Sequence, residues 1–179
     1  MNLCVYGASS NDIDRIYLDA GYELGLAMAR RGHSLVFGGG DTGLMGAAAR
    51  GMTEGGGSIT GIAPSFFNQP GVLYPHCSQL ILTETMRERK ALMEEKSDGF
   101  IMTPGGIGTY EEFFEILTLK QLGRHNKPIG ILNAGGYFDR LEELLQNTAA
   151  QRFMKEDCLQ LYCISPDPEI ILDYMEHTE

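Results

Sequence analysis

The sequence predicts a doubly wound α/β domain, a parallel sheet covered by helices on both faces. Three observations carry that expectation. Short apolar runs alternate with helix-patterned stretches along the whole chain. Glycine clusters fall directly after several of the apolar runs, where strands of such a sheet hand over to helices. The length of 179 residues suits one domain with a full core, and no repeat, low-complexity tract or interdomain linker interrupts it.

The elements follow in order. Leu3–Tyr6 reads as the first strand and is followed by the turn Gly7-Ala8-Ser9-Ser10. A helix is expected from Ile13 to Arg31, closed by Gly32. Ser34–Phe37 is the second strand, broken by Gly38-Gly39-Gly40; a small-residue helix over Leu44–Glu54 stops at Gly55-Gly56-Gly57. Ser58–Ala63 is the third strand. The stretch from Pro64 to Thr83 has no Asp, Glu, Lys or Arg and ends in the strand-like Gln79–Thr83. Helix Met86–Ser97, strand Gly99–Met102, helix Thr109–Leu122 and strand Pro128–Leu132 come next. An amphipathic helix over Tyr137–Arg152, a last strand at Leu161–Ile164 and a helix over Asp167–Glu176 complete the series.

Composition narrows the function. The net charge of −10 argues against a nucleic-acid coat, so no nucleic-acid partner is expected. That acidity is uneven: residues 139–179 carry ten acids and three bases, residues 1–138 fourteen and eleven. An anionic ligand therefore fits the first three quarters. No apolar run approaches the roughly 18 residues of a membrane span. The opening MNLCVYGASS lacks the pattern of a signal peptide, which predicts a cytoplasmic protein without a membrane partner. Cys4, Cys77, Cys158 and Cys163 form no CxxC pair and read as reduced thiols, and His76-Cys77 alone makes no metal site.

In a doubly wound sheet, ligands bind beyond the carboxyl ends of the strands. Two loops there are rich in glycine. Thr103-Pro104-Gly105-Gly106-Ile107-Gly108-Thr109 joins a strand to a helix, and can bring backbone N–H groups and a helix N-terminus to a phosphate. Packing alone is the competing explanation. Gly38-Gly39-Gly40-Asp41-Thr42-Gly43 repeats the logic, with the same alternative. Neither loop has the GxGxxG or GxxxxGK[ST] spacing, which disfavours a dinucleotide dehydrogenase and a P-loop NTPase.

Pro104–Glu112 fits PGGxGTxxE, and Met86-Arg87-Glu88-Arg89-Lys90 carries an Arg-Lys pair at a helix start. With Gly38-Gly39-Gly40 and Gly43-Leu44-Met45-Gly46, these motifs resemble the LOG family of cytokinin riboside 5′-monophosphate phosphoribohydrolases, over roughly residues 1–165. Many members carry an older "lysine decarboxylase" label. The resemblance implies a Rossmann-like nucleotide-binding domain spanning 1–179. It also implies N-glycosidic hydrolysis of an adenine-type nucleoside 5′-monophosphate, with Arg89 and Glu112 catalytic. Lys90, Gly105, Gly106, Ile107, Gly108, Thr109, Tyr110, Glu111 and Thr118 would surround the nucleotide. The scheme requires no cofactor and no metal. Lysine decarboxylation would need pyridoxal phosphate in a context that no motif here supplies.

The residues themselves leave alternatives open. Arg89 falls within the apolar stripe of Met86, Leu92 and Met93, a costly place unless it meets an anion or a carboxylate. Thr85 and Glu88 have capping-box spacing; so do Thr109 and Glu112, which would make Glu112 structural. Lys90 is placed to meet a phosphate or Glu94. The helix of Phe113, Phe114, Ile116, Leu117, Leu119 and Leu122 is apolar nearly all round, which predicts burial on every side and a homodimer. The first loop reads Gly-Ala-Ser-Ser where the family usually has Cys-Gly-Ser-Ser, and the acid common after the third strand is missing. A prenylated adenine would suit Phe66, Phe67 and Tyr74; plain AMP is the other candidate, and a non-catalytic nucleotide or cofactor binder the alternative class.

Overall fold

A computed structural model describes residues 1–178. Seven strands form one parallel sheet: β1 (Asn2–Tyr6), β2 (Ser34–Phe37), β3 (Ile59–Pro64), β4 (Gln79–Thr83), β5 (Gly99–Met102), β6 (Ile129–Leu132) and β7 (Cys163–Ser165). Their order is β4-β3-β2-β1-β5-β6-β7, so the chain winds outward from β1 and then restarts on its other side at β5. Among the described residues, six α-helices form: α1 (Arg15–Arg30), α2 (Gly43–Glu54), α3 (Met86–Glu95), α4 (Ile107–Gln121), α5 (Asp139–Ala150) and α6 (Pro168–His177).

Strand alternation divides the core into two layers. Leu3 and Val5 of β1 point to one face, where they pack with Leu24 and Met28 of α1, Met52 of α2 and Leu172 of α6. Cys4 and Tyr6 point to the other, against Met93 of α3, Phe113 of α4 and Leu141 of α5. Helices thus cover both faces, and β1, β5 and β6 are buried almost throughout.

On one face, α1 and α2 cross with backbones nearly touching. A β-carbon on Gly25 would lie 2.0 Å from the Ala48 carbonyl oxygen, and one on Gly51 would lie 2.1 Å from that of Tyr22. The small residues of α2 therefore serve helix packing.

The expected elements are present, with shifted ends. α1 begins at Arg15 and ends at Arg30, with Gly32 beyond it at φ +75°, the left-handed position that closes a helix. α3 stops at Glu95, and α5 is confined to Asp139–Ala150. The last strand lies at Cys163–Ser165, displaced toward the C-terminus because Glu156–Gln160 form a 3-10 turn. The Thr85–Glu88 capping box at the start of α3 is formed. The one expected at Thr109 is absent: α4 starts two residues earlier with Gly106 as its N-cap, so Thr109 lies inside the first turn. Cys4 and Cys158 are buried, and all four cysteines are unpaired.

Candidate active site

The winding reverses between β1 and β5, and the loops leaving those strands open a crevice at their carboxyl ends. A cavity of about 530 Å³ occupies it. The loop after β1 contributes Gly7, Ala8 and Ser9; the loop after β2 contributes Gly38, Gly40 and Thr42. Gly106, Gly108, Thr109 and Glu112 come from the start of α4, and Arg89 from α3. The remaining wall is apolar: Met45, Phe67, Val72, Leu73 and Met86. A wider cleft of about 760 Å³, lined in part by Gln121, Gln146 and Phe153, lies at the opposite ends of α4 and α5 and holds none of the expected site residues.

Arg89 and Glu112, on neighbouring helices, meet in the crevice. Arg89 Nη1 donates to Glu112 Oε1 at 2.7 Å, and Nε donates to the Ile62 carbonyl oxygen at 3.3 Å. Their side chains are only 9% and 11% exposed. Burial raises the Glu112 carboxyl above its ordinary range; Arg89 opposes that shift, Glu111 adds to it and Lys90 counters it. Glu112 is thus held by an arginine in a dry setting and turned toward the cavity, with no part in capping α4.

The two glycine loops differ in what they leave open. The start of α2 is already occupied: Gly43 N–H donates to Asn11 Oδ1 at 2.8 Å, Met45 N–H to the Ala8 carbonyl at 3.2 Å, and Thr42 Oγ1 to the Ser9 carbonyl at 2.6 Å. The start of α4 carries no side-chain cap. Its first amides lack intrahelical acceptors and face an exposed glycine rim, a ready anion site. β-Carbons on Gly106 and Gly108 would meet nothing within 4 Å, and neither residue has a positive φ. Neither packing nor conformation requires glycine at these two positions. Gly105 differs: a β-carbon there would strike Thr109 Oγ1 at 2.1 Å, and its carbonyl accepts a hydrogen bond from the Tyr137 hydroxyl at 2.7 Å.

Other expected residues lie outside the cavity lining. Lys90 Nζ pairs with Glu111 and, at 2.8 Å, with Glu115, rather than with Glu94. Tyr110 packs edge-on to Phe138. Ile107 is 90% exposed, and Thr118 lies in the exposed part of α4. Of the aromatic candidates only Phe67 lines the cavity. Phe66 packs tilted against Phe67, outside the cavity lining, and Tyr74 is buried with its hydroxyl 2.7 Å from Thr53 Oγ1, which removes it as a ligand contact. Sequence reasoning placed Met45 in the Gly43-Leu44-Met45-Gly46 motif without a site role and did not single out Val72 and Leu73. Their only signal was a position in or near loops at the carboxyl ends of strands.

These features define a class: a doubly wound α/β protein with its ligand cavity at the switch point, an open helix N-terminus and a buried arginine–glutamate pair. The chain belongs to the LOG family. The family described as "Possible lysine decarboxylase" matches residues 45–175. A probable cytokinin riboside 5′-monophosphate phosphoribohydrolase of Oryza sativa subsp. japonica, LOGL1, is 38% identical over 97% of this chain and 78% of its own. The Arabidopsis thaliana enzyme LOG2 is 33% identical over 97% and 82%. Among solved structures, a molybdenum cofactor binding protein from Rippkaea orientalis shares the fold with a TM-score of 0.75 at 23% identity, covering 98% of this chain and 94% of its own. The Moco carrier protein of Chlamydomonas reinhardtii is similar, with a TM-score of 0.75 at 22% identity over 99% and 96%.

Proposed function

We propose that the protein hydrolyses the N-glycosidic bond of an adenine-type nucleoside 5′-monophosphate, releasing the base and ribose 5-phosphate. The observation that carries this reading is the Arg89–Glu112 pair, buried at the mouth of an open helix start. The named activity of relatives with 33–38% identity over nearly the whole chain supports it.

The chemistry follows from the parts. The 5′-phosphate sits on the free amides of α4 at Gly106, Ile107 and Gly108, where the helix dipole favours negative charge. That anchors the ribose so that its C1′ faces Glu112. As the glycosidic bond breaks, its electron pair leaves with the base and positive charge develops on the sugar. The Glu112 carboxylate stabilises that charge and accepts a proton from the water that adds to C1′, the logic of glycosidases. The departing base takes up a proton. Arg89 keeps Glu112 ionised and oriented against the desolvation of the site. The apolar wall of Met45, Phe67, Val72, Leu73 and Met86 suits a base with a prenyl tail better than plain adenine.

The test is incubation with AMP and with isopentenyladenosine monophosphate, followed by chromatography for free base. Release from the prenylated substrate in preference to AMP is expected. Binding of both without release would replace this reading with that of a nucleotide or cofactor binder.

The working unit proposed is a cytoplasmic homodimer. α4 presents Ile107, Glu111, Phe114, Thr118 and Leu122 as one exposed stripe, with Phe114 at 38% and Leu122 at 66% exposure. A second copy seated there covers Glu111 and Thr118, two of the expected site residues that the cavity of a single chain does not reach.

A further inference from the structure

The three consecutive glycines after β2 do different jobs. Gly39 has a φ of +78°, so the turn itself demands glycine. Gly40 lines the cavity, and a β-carbon there would meet only Met45 Cε, at an ordinary 3.6 Å. Gly38 fits neither description. Its φ is not positive, so its backbone is open to other residues. A β-carbon on Gly38 would nevertheless lie 2.3 Å from Arg89 Nη2, 3.3 Å from Cζ and 3.6 Å from Nε. The three nearest atoms all belong to the guanidinium.

We propose that Gly38 is a positioning residue, whose missing side chain forms the seat that sets the Arg89 guanidinium in line with Glu112. The arginine head is then fixed on three sides. Nη1 donates to Glu112, Nε donates to the Ile62 carbonyl, and Nη2 lies over the bare backbone of Gly38. The floor is continuous, because β2 and β3 are paired strands with Phe37 opposite Gly61, which puts Gly38, just past the end of β2, beside Ile62 of β3. A planar, forked cation needs such a flat surface to keep both its donor directions in use.

Substitution at this position acts on the arginine, not on the fold. The Gly25 and Gly51 contacts are with backbone carbonyls, which cannot retreat; the Gly38 contact is with the far end of a flexible side chain. A methyl group at residue 38 displaces the guanidinium to ordinary contact distance and breaks its alignment with Glu112. A misplacement of about 1 Å in such a constellation costs on the order of 10²-fold in rate.

The inference rests on the hydrolase reading for its kinetic consequence, so the experiment has two arms. In the first, Gly38→Ala is compared with wild type by NMR of the arginine Nε–H and of the labelled Glu112 carboxyl carbon. The expected result is a shifted Arg89 signal and a higher titration midpoint for Glu112, which loses its arginine partner while still facing Glu111 and Lys90. An unchanged Arg89 signal and midpoint overturn the seat, whatever the protein catalyses. In the second arm, Gly38→Ala lowers kcat about 10²-fold, melts no lower than Arg89→Ala, and costs nothing further in kcat when added to it. A large additional loss in the double variant overturns the proposal. Failure of the wild type to release any base refutes the hydrolase reading and leaves the first arm to decide. Should Gly38→Ala alone not fold, the double variant is compared with Arg89→Ala: equal stability of the two supports the seat, and a double variant less stable than Arg89→Ala refutes it.

Discussion

Glu112 concentrates the residue-scale questions, because burial and catalysis pull its carboxyl in opposite directions. Its ionised form does the proposed work, yet burial raises its pKa above 4.5. Activity therefore falls as pH drops through that raised value, and a kcat/KM profile has its acid limb above the ordinary carboxylate position. Lys90 lowers the Glu112 pKa, so Lys90→Met moves that limb to higher pH in the same measurement. The linkage runs the other way for stability. A raised folded-state pKa gives a contribution present below 4.5 and lost as pH rises through the folded value. Glu112→Gln, a neutral isostere, is therefore expected to melt no lower than wild type at pH 7, while base release drops about 10²–10⁴-fold. Arg89→Ala is the contrast: it leaves a buried carboxylate unpaired and costs about 3–5 kcal/mol in denaturant unfolding. Both residues were legible in the sequence, Arg89 as a charge in an apolar stripe and Glu112 through its motif. The resemblance named the two together as a catalytic pair, but their direct hydrogen bond could not be read from spacing, because they come from different helices. Capping-box spacing at Thr109 pointed to a local partner that the earlier start of α4 rules out.

At the scale of elements, glycines separate into those that hold helices together and those that leave space for something else. Gly25 and Gly51 belong to the first kind, each facing a backbone carbonyl across the α1–α2 crossing. Gly25→Ala is expected to destabilise by about 1–3 kcal/mol, read from the shift in denaturant midpoint, because neither backbone can yield. Gly106 belongs to the second kind, with open space where its side chain would be. Gly106→Ala leaves the unfolding free energy within about 0.5 kcal/mol of wild type. It is expected to weaken nucleotide binding in a calorimetric titration, because the methyl occupies open space at the proposed phosphate site. The parallel sheet and its order of elements were readable from alternation and punctuation alone. What α2 and α4 do with their N-termini was not. Both follow glycine clusters, and only the three-dimensional route of the loop after β1 shows that Asn11 and Ala8 have already claimed the amides of α2.

At the scale of the whole molecule, the apolar circumference of α4 demands more cover than one chain provides. Phe113, Ile116 and Leu117 are buried in the sheet-facing core. The sequence predicts burial on every side, in part by a second subunit; in the single chain Phe114 and Leu122 are exposed, with Ile107 at the near end of the same stripe. Residues four, three, four and four apart put Ile107, Glu111, Phe114, Thr118 and Leu122 on one line along the helix, which a partner of matching shape can cover in a single contact. An identical α4 crossing it supplies apolar surface at Phe114 and Leu122, and a twofold axis makes the contact self-complementary. Sedimentation velocity of the wild type is expected to give a dimer at micromolar concentration. The double variant Phe114→Asp, Leu122→Asp places charges on both sides of the contact and is expected to sediment as a folded monomer, because neither side chain belongs to the core of its own chain. A wild-type monomer, or a variant that remains dimeric, refutes the α4 interface. Loss of base release by the folded monomeric variant is the further expected result, since separation uncovers Glu111 and Thr118 together with the stripe that holds them.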